Sequence, residues 1–291
     1  MSNVVTLVSA SAALEDALLR RAAGALPGLQ ETSWLDEGTA ADIFFDAPVT
    51  TGAAVRAALR GEPIDVFVQP AAGRRKRLLA ADMDSTIIGQ ECIDELADFV
   101  GLRTHVAAIT ERAMRGEIAF EPALRERVAL LENLPVDVIG KIIAERINLT
   151  AGARTLVQTM RAHGAYTVLV SGGFTLFTGK IAAMAGFDAH VGNILAVAAG
   201  KLTGRVEEPV LGQAAKRDAL LHFCEGLGLA PGDTLAVGDG ANDLDMLAEA
   251  GLGVAFRAKP AVAAAAHARV DHADLTALLY AQGYRRDEFR L

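Results

Sequence analysis

From Leu78 onward the chain alternates short apolar runs with helical patterns, and several of the runs stop abruptly in polar residues. The runs are "RLLAADM" (77–83), "AYTVLVSG" (165–172), "AHVGNILAV" (189–197), "TLAVGDG" (234–240) and the short "LGVAF" (252–256). Near-continuous apolar strands are buried on both faces, and strands that alternate with helices build a mostly parallel sheet. Between the first two runs, roughly 88–150 reads only as helix: "IDELADFVGL", "VAAITERAMRG", "FEPALRERVALLENL" and "VDVIGKIIAERI". So large an insertion between consecutive strands predicts a cap or lid.

Residues 1–70 follow another pattern. An apolar strand at "NVVTLVSA" is followed by a helix at "SAALEDALLRRAAGAL", with Ser11 as its expected N-cap. Strands near "LQETSWL" and "ADIFFDA", a short helix at "GAAVRAALR" and a strand at "IDVFVQP" complete a βαββαβ order, which suits a small ferredoxin-like α+β unit. The basic "AAGRRKR" at 71–77 breaks the pattern and reads as a solvated linker or, less simply, a polyanion contact. The expected division is therefore 1–70, a linker at 71–77, and a catalytic domain over 78–291.

The 291 residues allow about two domains. Hydrophobic residues make up 52% but aromatics only 5%, so packing rests on small and aliphatic side chains. A net charge of −8 argues against bulk electrostatic binding of nucleic acid or acidic membrane. Cys92 and Cys224 lie too far apart for a metal spacing and read as reduced thiols. The N-terminus lacks a basic n-region and no run reaches the roughly 18 apolar residues of a membrane span, so a cytoplasmic protein is expected.

Chemistry gathers at the strand ends: Asp82 and Asp84; Ser171, Gly172 and Gly173; Asp239, Asn242 and Asp243. In an open α/β sheet ligands bind beyond the carboxyl ends of the strands, so these groups should meet in one crevice. "GDGANDLD" fails as a calcium loop because Leu244 stands where glycine is needed. Together the groups describe phosphoryl transfer to a carboxylate. Asp82 is the nucleophile and Asp84 the general acid and base, which requires an upward-shifted pKa. Asp82 and Asp239, with Asp243 and a backbone carbonyl near Asp84, form a plausible Mg²⁺ set. The Ser171 hydroxyl and the Gly172 and Gly173 amides can hold phosphoryl oxygens, and Lys216, near a helix start, reads by its spacing as a solvated helix lysine or, less simply, as the missing cation.

"DMDST", "SGG", the lysine of "GQAAKRDALLHF" and "GDGANDLDM", in this order, resemble the four motifs of the haloacid dehalogenase-like hydrolases. The resemblance covers roughly 78–285 and implies a Rossmann-like core with a helical cap inserted after the first motif. With "FEPALRERVALLENLP", it points to those members that hydrolyse O-phospho-L-serine to L-serine and phosphate, the last step of serine biosynthesis. It implies Mg²⁺ as cofactor, Asp82 as nucleophile, Asp84 as acid/base, and Ser171, Gly172, Lys216 and Asn242 around the phosphate. It further implies Glu91 on the substrate ammonium, Arg127 on its carboxylate, and Phe120 closing over both. Met83 stands where the family often has Phe, and Arg217-Asp218 where it usually has Gly-Glu.

Residues 1–70 lie outside that resemblance and look like regulatory domains of the ACT type, with a homodimer through this unit left open. Transfer to another alcohol such as homoserine, a broader phosphomonoesterase, and an amino-acid sensor with a silent core are the other readings. His105, His163, His190, His222, His267 and His272 lie outside the strand-end clusters and take no role.

Overall fold

The computed structural model describes residues 2–11, 13–114 and 117–291. Ala12, inside the expected first helix, and Arg115 and Gly116, at the end of the expected second cap helix, lie outside the described residues.

The N-terminal unit runs β1 (Asn3–Ser9), α1 (Asp16–Gly24), β2 (Leu29–Asp36), β3 (Ala40–Phe45), α2 (Gly52–Ala58) and β4 (Ile64–Pro70). Its strands form an antiparallel sheet in the order β2-β3-β1-β4, the ferredoxin-like arrangement expected. Ser11 does not cap α1, which begins at Asp16 after an extended Glu15. Leu14 is buried and its amide is tied to the Gly38 carbonyl at 2.8 Å, which keeps the chain out of helical geometry until Glu15.

The catalytic unit begins with β5 (Leu78–Ala81), followed by a tight turn over Met83–Ile87. The inserted helices α3 (Cys92–Phe99), α4 (Arg103–Met114), α5 (Phe120–Ala129) and α6 (Asp137–Arg146) come next, then α7 (Ala153–Ala162). The chain returns through β6 (Tyr166–Phe174), α8 (Thr175–Ala185), β7 (Ala189–Asn193), β8 (Leu195–Ala198), β9 (Lys201–Val206) and α9 (Gln213–Leu227). It closes with β10 (Thr234–Gly238), α10 (Leu244–Glu249), β11 (Leu252–Phe256), α11 (Pro260–Ala265), β12 (Ala268–Val270) and α12 (Ala277–Ala281). The core sheet is parallel throughout, in the order β12-β11-β10-β5-β6-β7.

The apolar runs are continuous because both faces of this sheet are covered. Leu79 and Ala81 pack into the larger core, while Leu78 and Ala80 face the core beneath α9 and α10. Among the described residues no helix is long and apolar enough to cross a membrane.

Two sequence expectations change here. The single strand expected at 189–197 is divided: β7 leaves the core sheet at Asn193, and β8 pairs with the unforeseen β9 as a hairpin. Its turn is made by Ala199 (φ 49°) and Gly200 (φ 75°), both in the left-handed region that such two-residue turns need. Backbone bonds then brace the hairpin against the insertion, from the Asn133 amide to the Leu202 carbonyl and from the Leu202 amide to the Leu134 carbonyl, each 2.9 Å.

The basic segment 71–77 is not a freely solvated tether. Arg74 pairs with the buried Asp42 at 2.7 Å, Arg75 pairs with Glu288 at 2.8 Å and stacks over Tyr284, and Lys76 Nζ donates to the Gly232 carbonyl. Its cations fasten the N-terminal unit to the core.

Candidate active site

The strand order explains why residues far apart in sequence meet. β5 lies between β6 and β10, so the chain just past Ala81 is flanked by Ser171, near the end of β6, and Asp239, just after β10. The Asp82 amide still donates to the Val237 carbonyl at 2.9 Å, which holds its backbone on the sheet. Its Oδ1 accepts from the Met83 amide at 2.7 Å and lies 2.7 Å from Lys216 Nζ. Oδ2 carries neither bond.

Beyond Asp82 the chain turns sharply, with Ser85 at φ 55°, a conformation that is costly for a non-glycine residue and recurs at functional sites. The Met83 carbonyl accepts from the Ile88 amide and closes the turn. Asp84 Oδ1 accepts the Cys92 amide at 2.9 Å and Oδ2 the Ser171 hydroxyl at 3.4 Å. Ser171 Oγ in turn accepts the Gly173 amide at 2.8 Å. The Asn193 side chain donates to the Gly172 carbonyl at 2.8 Å and steadies the glycine pair.

Lys216, in the first turn of α9, is buried and bridges Asp82 and Asp243 at 2.7 Å each. Burial works against its charge, but Asp243 and Asp82 outweigh that and push its pKa above the usual lysine value. A side chain at Gly238 would collide with the Asp243 carboxylate, so the close approach of β10 to this pair requires glycine there. Asp243 Oδ2 accepts the Gly240 amide at 3.0 Å.

Burial and then Asp243 push Asp82 upward against the opposing pull of Lys216. Asp84 is raised as well, by burial, with the Cys92 amide opposing. Asp239 is pushed up to about 6 by burial and Asp243. Asp82, Asp239 and Asp243 each offer an oxygen within 4.8 Å of the others. Three clustered carboxylates, of which Lys216 pairs with Asp82 and Asp243, suit a hard divalent cation. The Asp84 carboxylate stands outside this trio, taken up by Cys92 and Ser171.

A cavity of about 500 Å³ opens above these groups. Asp82, Asp84, Ser171, Gly172, Gly173, Asp239 and Asn242 line its floor, and Glu91, Phe120 and Arg127 come from the insertion. Lys216 and Asp243 lie beneath the surface rather than on it. Among the described residues no histidine lines the cavity.

Glu91 precedes α3 and accepts the Ser85 hydroxyl at 2.7 Å; burial and the charge of Asp84 push it up to about 7. Arg127, on α5, donates from Nε to the Ala123 carbonyl at 3.1 Å and from Nη1 to Thr110 at 3.3 Å. Phe120 reaches over Gly172, where an added methyl group would crowd its ring.

Sequence reasoning missed several supports: Thr110, which orients Arg127; the Cys92 amide on Asp84; Thr86, 3.5 Å from Asp239; and Lys259 on the cavity wall. Asn193 ends its strand in a polar side chain as Ser171 does. That signal was hidden by reading the strand on to Val197.

A parallel sheet that gathers acids, a lysine and a hydroxyl at its carboxyl edge, beneath a helical insertion, defines a capped α/β enzyme. Residues 79–248 match the haloacid dehalogenase-like hydrolases, and the chain belongs to that family. It is 44% identical over 241 residues to a phosphoserine phosphatase from Streptomyces coelicolor, an alignment covering 83% of this chain and 58% of that relative's length. It is 48% identical over 208 residues to a phosphoserine phosphatase from Albidiferax ferrireducens, covering 70% of this chain and 88% of the relative. A solved phospho-aspartyl intermediate analogue of phosphoserine phosphatase superposes with a TM-score of 0.66 at 41% identity, over 71% of this chain and 98% of the other.

Proposed function

We propose that this enzyme hydrolyses O-phospho-L-serine to L-serine and phosphate through a phosphoryl group carried on Asp82, with Mg²⁺ as cofactor. The observation that carries the reading is one cavity with two matched ends. Asp82, Asp84 and Ser171 form the floor, while Glu91 and Arg127 face the same space from the insertion. An acid for an ammonium and a planar guanidinium for a carboxylate suit an amino acid esterified to phosphate. The relatives named phosphoserine phosphatase support the same substrate.

Asp82 Oδ2, the oxygen that bonds neither Met83 nor Lys216, attacks phosphorus as the bond to the serine oxygen breaks. Asp84 gives its proton to that leaving oxygen. In the second half, Asp84 takes a proton from water as the water attacks phosphorus, the Asp82–phosphate bond breaks, and phosphate leaves. Ser171, oriented by the Gly173 amide, and the Gly172 amide hold the equatorial oxygens, Asn242 contacts the phosphate from the other side, and Lys216 fixes Asp82 for in-line attack. Asp82, Asp239 and Asp243, with Asp84 through its backbone carbonyl, would hold Mg²⁺, which neutralises phosphate charge. Phe120 closes over Gly172 and excludes water from the first step.

This reaction places the enzyme at the last step of serine biosynthesis in the cytoplasm. A homodimer through the N-terminal unit would use the exposed first half of β2, an edge strand of its sheet, and light scattering on the purified protein tests it. The deciding experiment for the function is phosphate release from a panel of phosphomonoesters with and without Mg²⁺, repeated with homoserine added. Preference for phosphoserine and release of free phosphate are expected. Equal rates across the panel, or phosphorylated homoserine as the main product, would replace the proposal with a broader phosphatase or a phosphotransferase.

A further inference from the structure

A second cavity, of about 420 Å³, lies at the seam between the N-terminal unit and the far edge of the core sheet. α2 and β4 form one wall, and β12 with the residues just after it forms the other. Arg56, Arg60 and Arg269 all line it.

The acids of the same walls are already engaged. Asp65 is buried and accepts the amides of Asp271, His272 and Ala273, which ties the two walls together. Glu62 pairs with Arg21 at 2.6 Å, and Asp271 with Arg269 Nε at 2.8 Å. Arg56 donates to the Val66 carbonyl, and among the described residues neither Arg56 nor Arg60 forms an ion pair. Burial, and then the like charge of Arg269, hold Arg56 below the usual guanidinium range, with Asp271 opposing. Arg269 shares its charge with Asp271, so the positive charge left over in this cavity sits on Arg56 and Arg60, and an anion would balance it. Ala53, Ala57, Leu59 and Ile64 add apolar lining beside His272, and the volume leaves room for a carbon skeleton larger than a bare inorganic ion.

We propose that this seam cavity binds a small organic anion whose carboxylate or phosphoryl group is held by Arg56 and Arg60, the lining guanidiniums without an ion pair among the described residues, with Arg269 as an additional cation. The site shares no residue with the catalytic crevice, so its occupancy can be read as binding, whatever substrate the enzyme turns over. A ligand here bridges both units.

Isothermal titration of the full-length protein with succinate, and separately with methylphosphonate, tests the proposal and distinguishes the two anion chemistries; the P–C bond of methylphosphonate resists hydrolysis. Saturable binding of at least one probe is expected. It should weaken about tenfold or more in Arg56→Gln, a loss of about 1.4 kcal/mol, and stay unchanged in Arg127→Ala. Arg60→Gln, at an exposed side chain without an ion pair, provides a second variant should Arg56→Gln fold poorly, and the same direction is expected. Phosphoserine hydrolysis without probe should be unaffected by either seam variant. The proposal is overturned if neither probe saturates by about 10 mM, or if Arg127→Ala abolishes binding while the seam variants retain it.

Discussion

Lys216 Nζ stands 2.7 Å from Asp82 Oδ1, and both side chains are buried. The contact joins the start of α9 to the end of the central strand, and the same ammonium reaches Asp243 at 2.7 Å. One cation therefore serves two buried carboxylates, and the arrangement is stable only while all three are present. Removing the lysine strands two acids in a medium that disfavours charge. Lys216→Met is expected to lower the stability of the metal-free protein by about 3–5 kcal/mol and activity by about 10³-fold. Chemical denaturation and initial rates check the two effects separately.

Asp82→Asn retains a side-chain oxygen for the Met83 amide but removes the nucleophile. Turnover should fall by about 10⁴-fold or more with the circular dichroism spectrum unchanged. A residual rate near that of the parent enzyme would remove Asp82 from the mechanism.

Arg127→Ala removes a charge-assisted contact worth about 1.5–3 kcal/mol, so KM for phosphoserine should rise about 10- to 100-fold with a smaller change in kcat. An aryl phosphate without a carboxylate should be hardly affected. Thr110→Val, which removes the hydroxyl facing Arg127, should raise the same KM by a smaller factor.

Glu91 sits near pH 7 in the substrate-free protein and must be ionised to receive an ammonium. The expected result is that kcat/KM for phosphoserine falls as pH drops through about 7, and that Glu91→Gln is slow but flat over that range. The stability effect has the opposite sense. Because folding raises this carboxyl above its usual value, its contribution is complete below about pH 4.5 and is lost as pH rises through about 7. Glu91→Gln should therefore melt above the parent at pH 8, with the difference closing toward pH 4.

By neutralising Asp82, Asp239 and Asp243, Mg²⁺ should stabilise the metal-free protein by about 2.7 kcal/mol at a hundredfold excess over Kd, read as a rise in melting temperature. Protons compete for the same oxygens, so the increment should shrink as pH falls through about 6, where Asp239 titrates. Chelation with EDTA should stop phosphate release, and Asp239→Asn should remove the Mg²⁺-induced shift.

Local pattern carried much of this architecture. The alternation of apolar runs and helices, with acids or Ser-Gly-Gly at the run ends, was enough to predict a parallel sheet with a crevice at one edge, since burial on two faces leaves a continuous apolar signature. The insertion was visible as a long helical stretch between strands, and the βαββαβ order of residues 1–70 appeared as expected. Patterning failed where a short apolar stretch did not show which sheet it joined. β7 and β8 read as one strand, and Asn193 at the break was overlooked. It failed again at Ser11, because the burial of Leu14 outweighs a local capping preference.

By itself, the sequence determined which side chains stand at strand ends and helix starts, because those positions follow from short-range periodicity. Only the tertiary structure decided that β5 lies between β6 and β10, that Lys216 sinks between Asp82 and Asp243, and that the cations of residues 74–76 clasp the N-terminal unit to the core. The reason is physical. Strand order, desolvation and the pairing of distant charges depend on what surrounds a residue in space, and a chain read one window at a time holds no record of those neighbours.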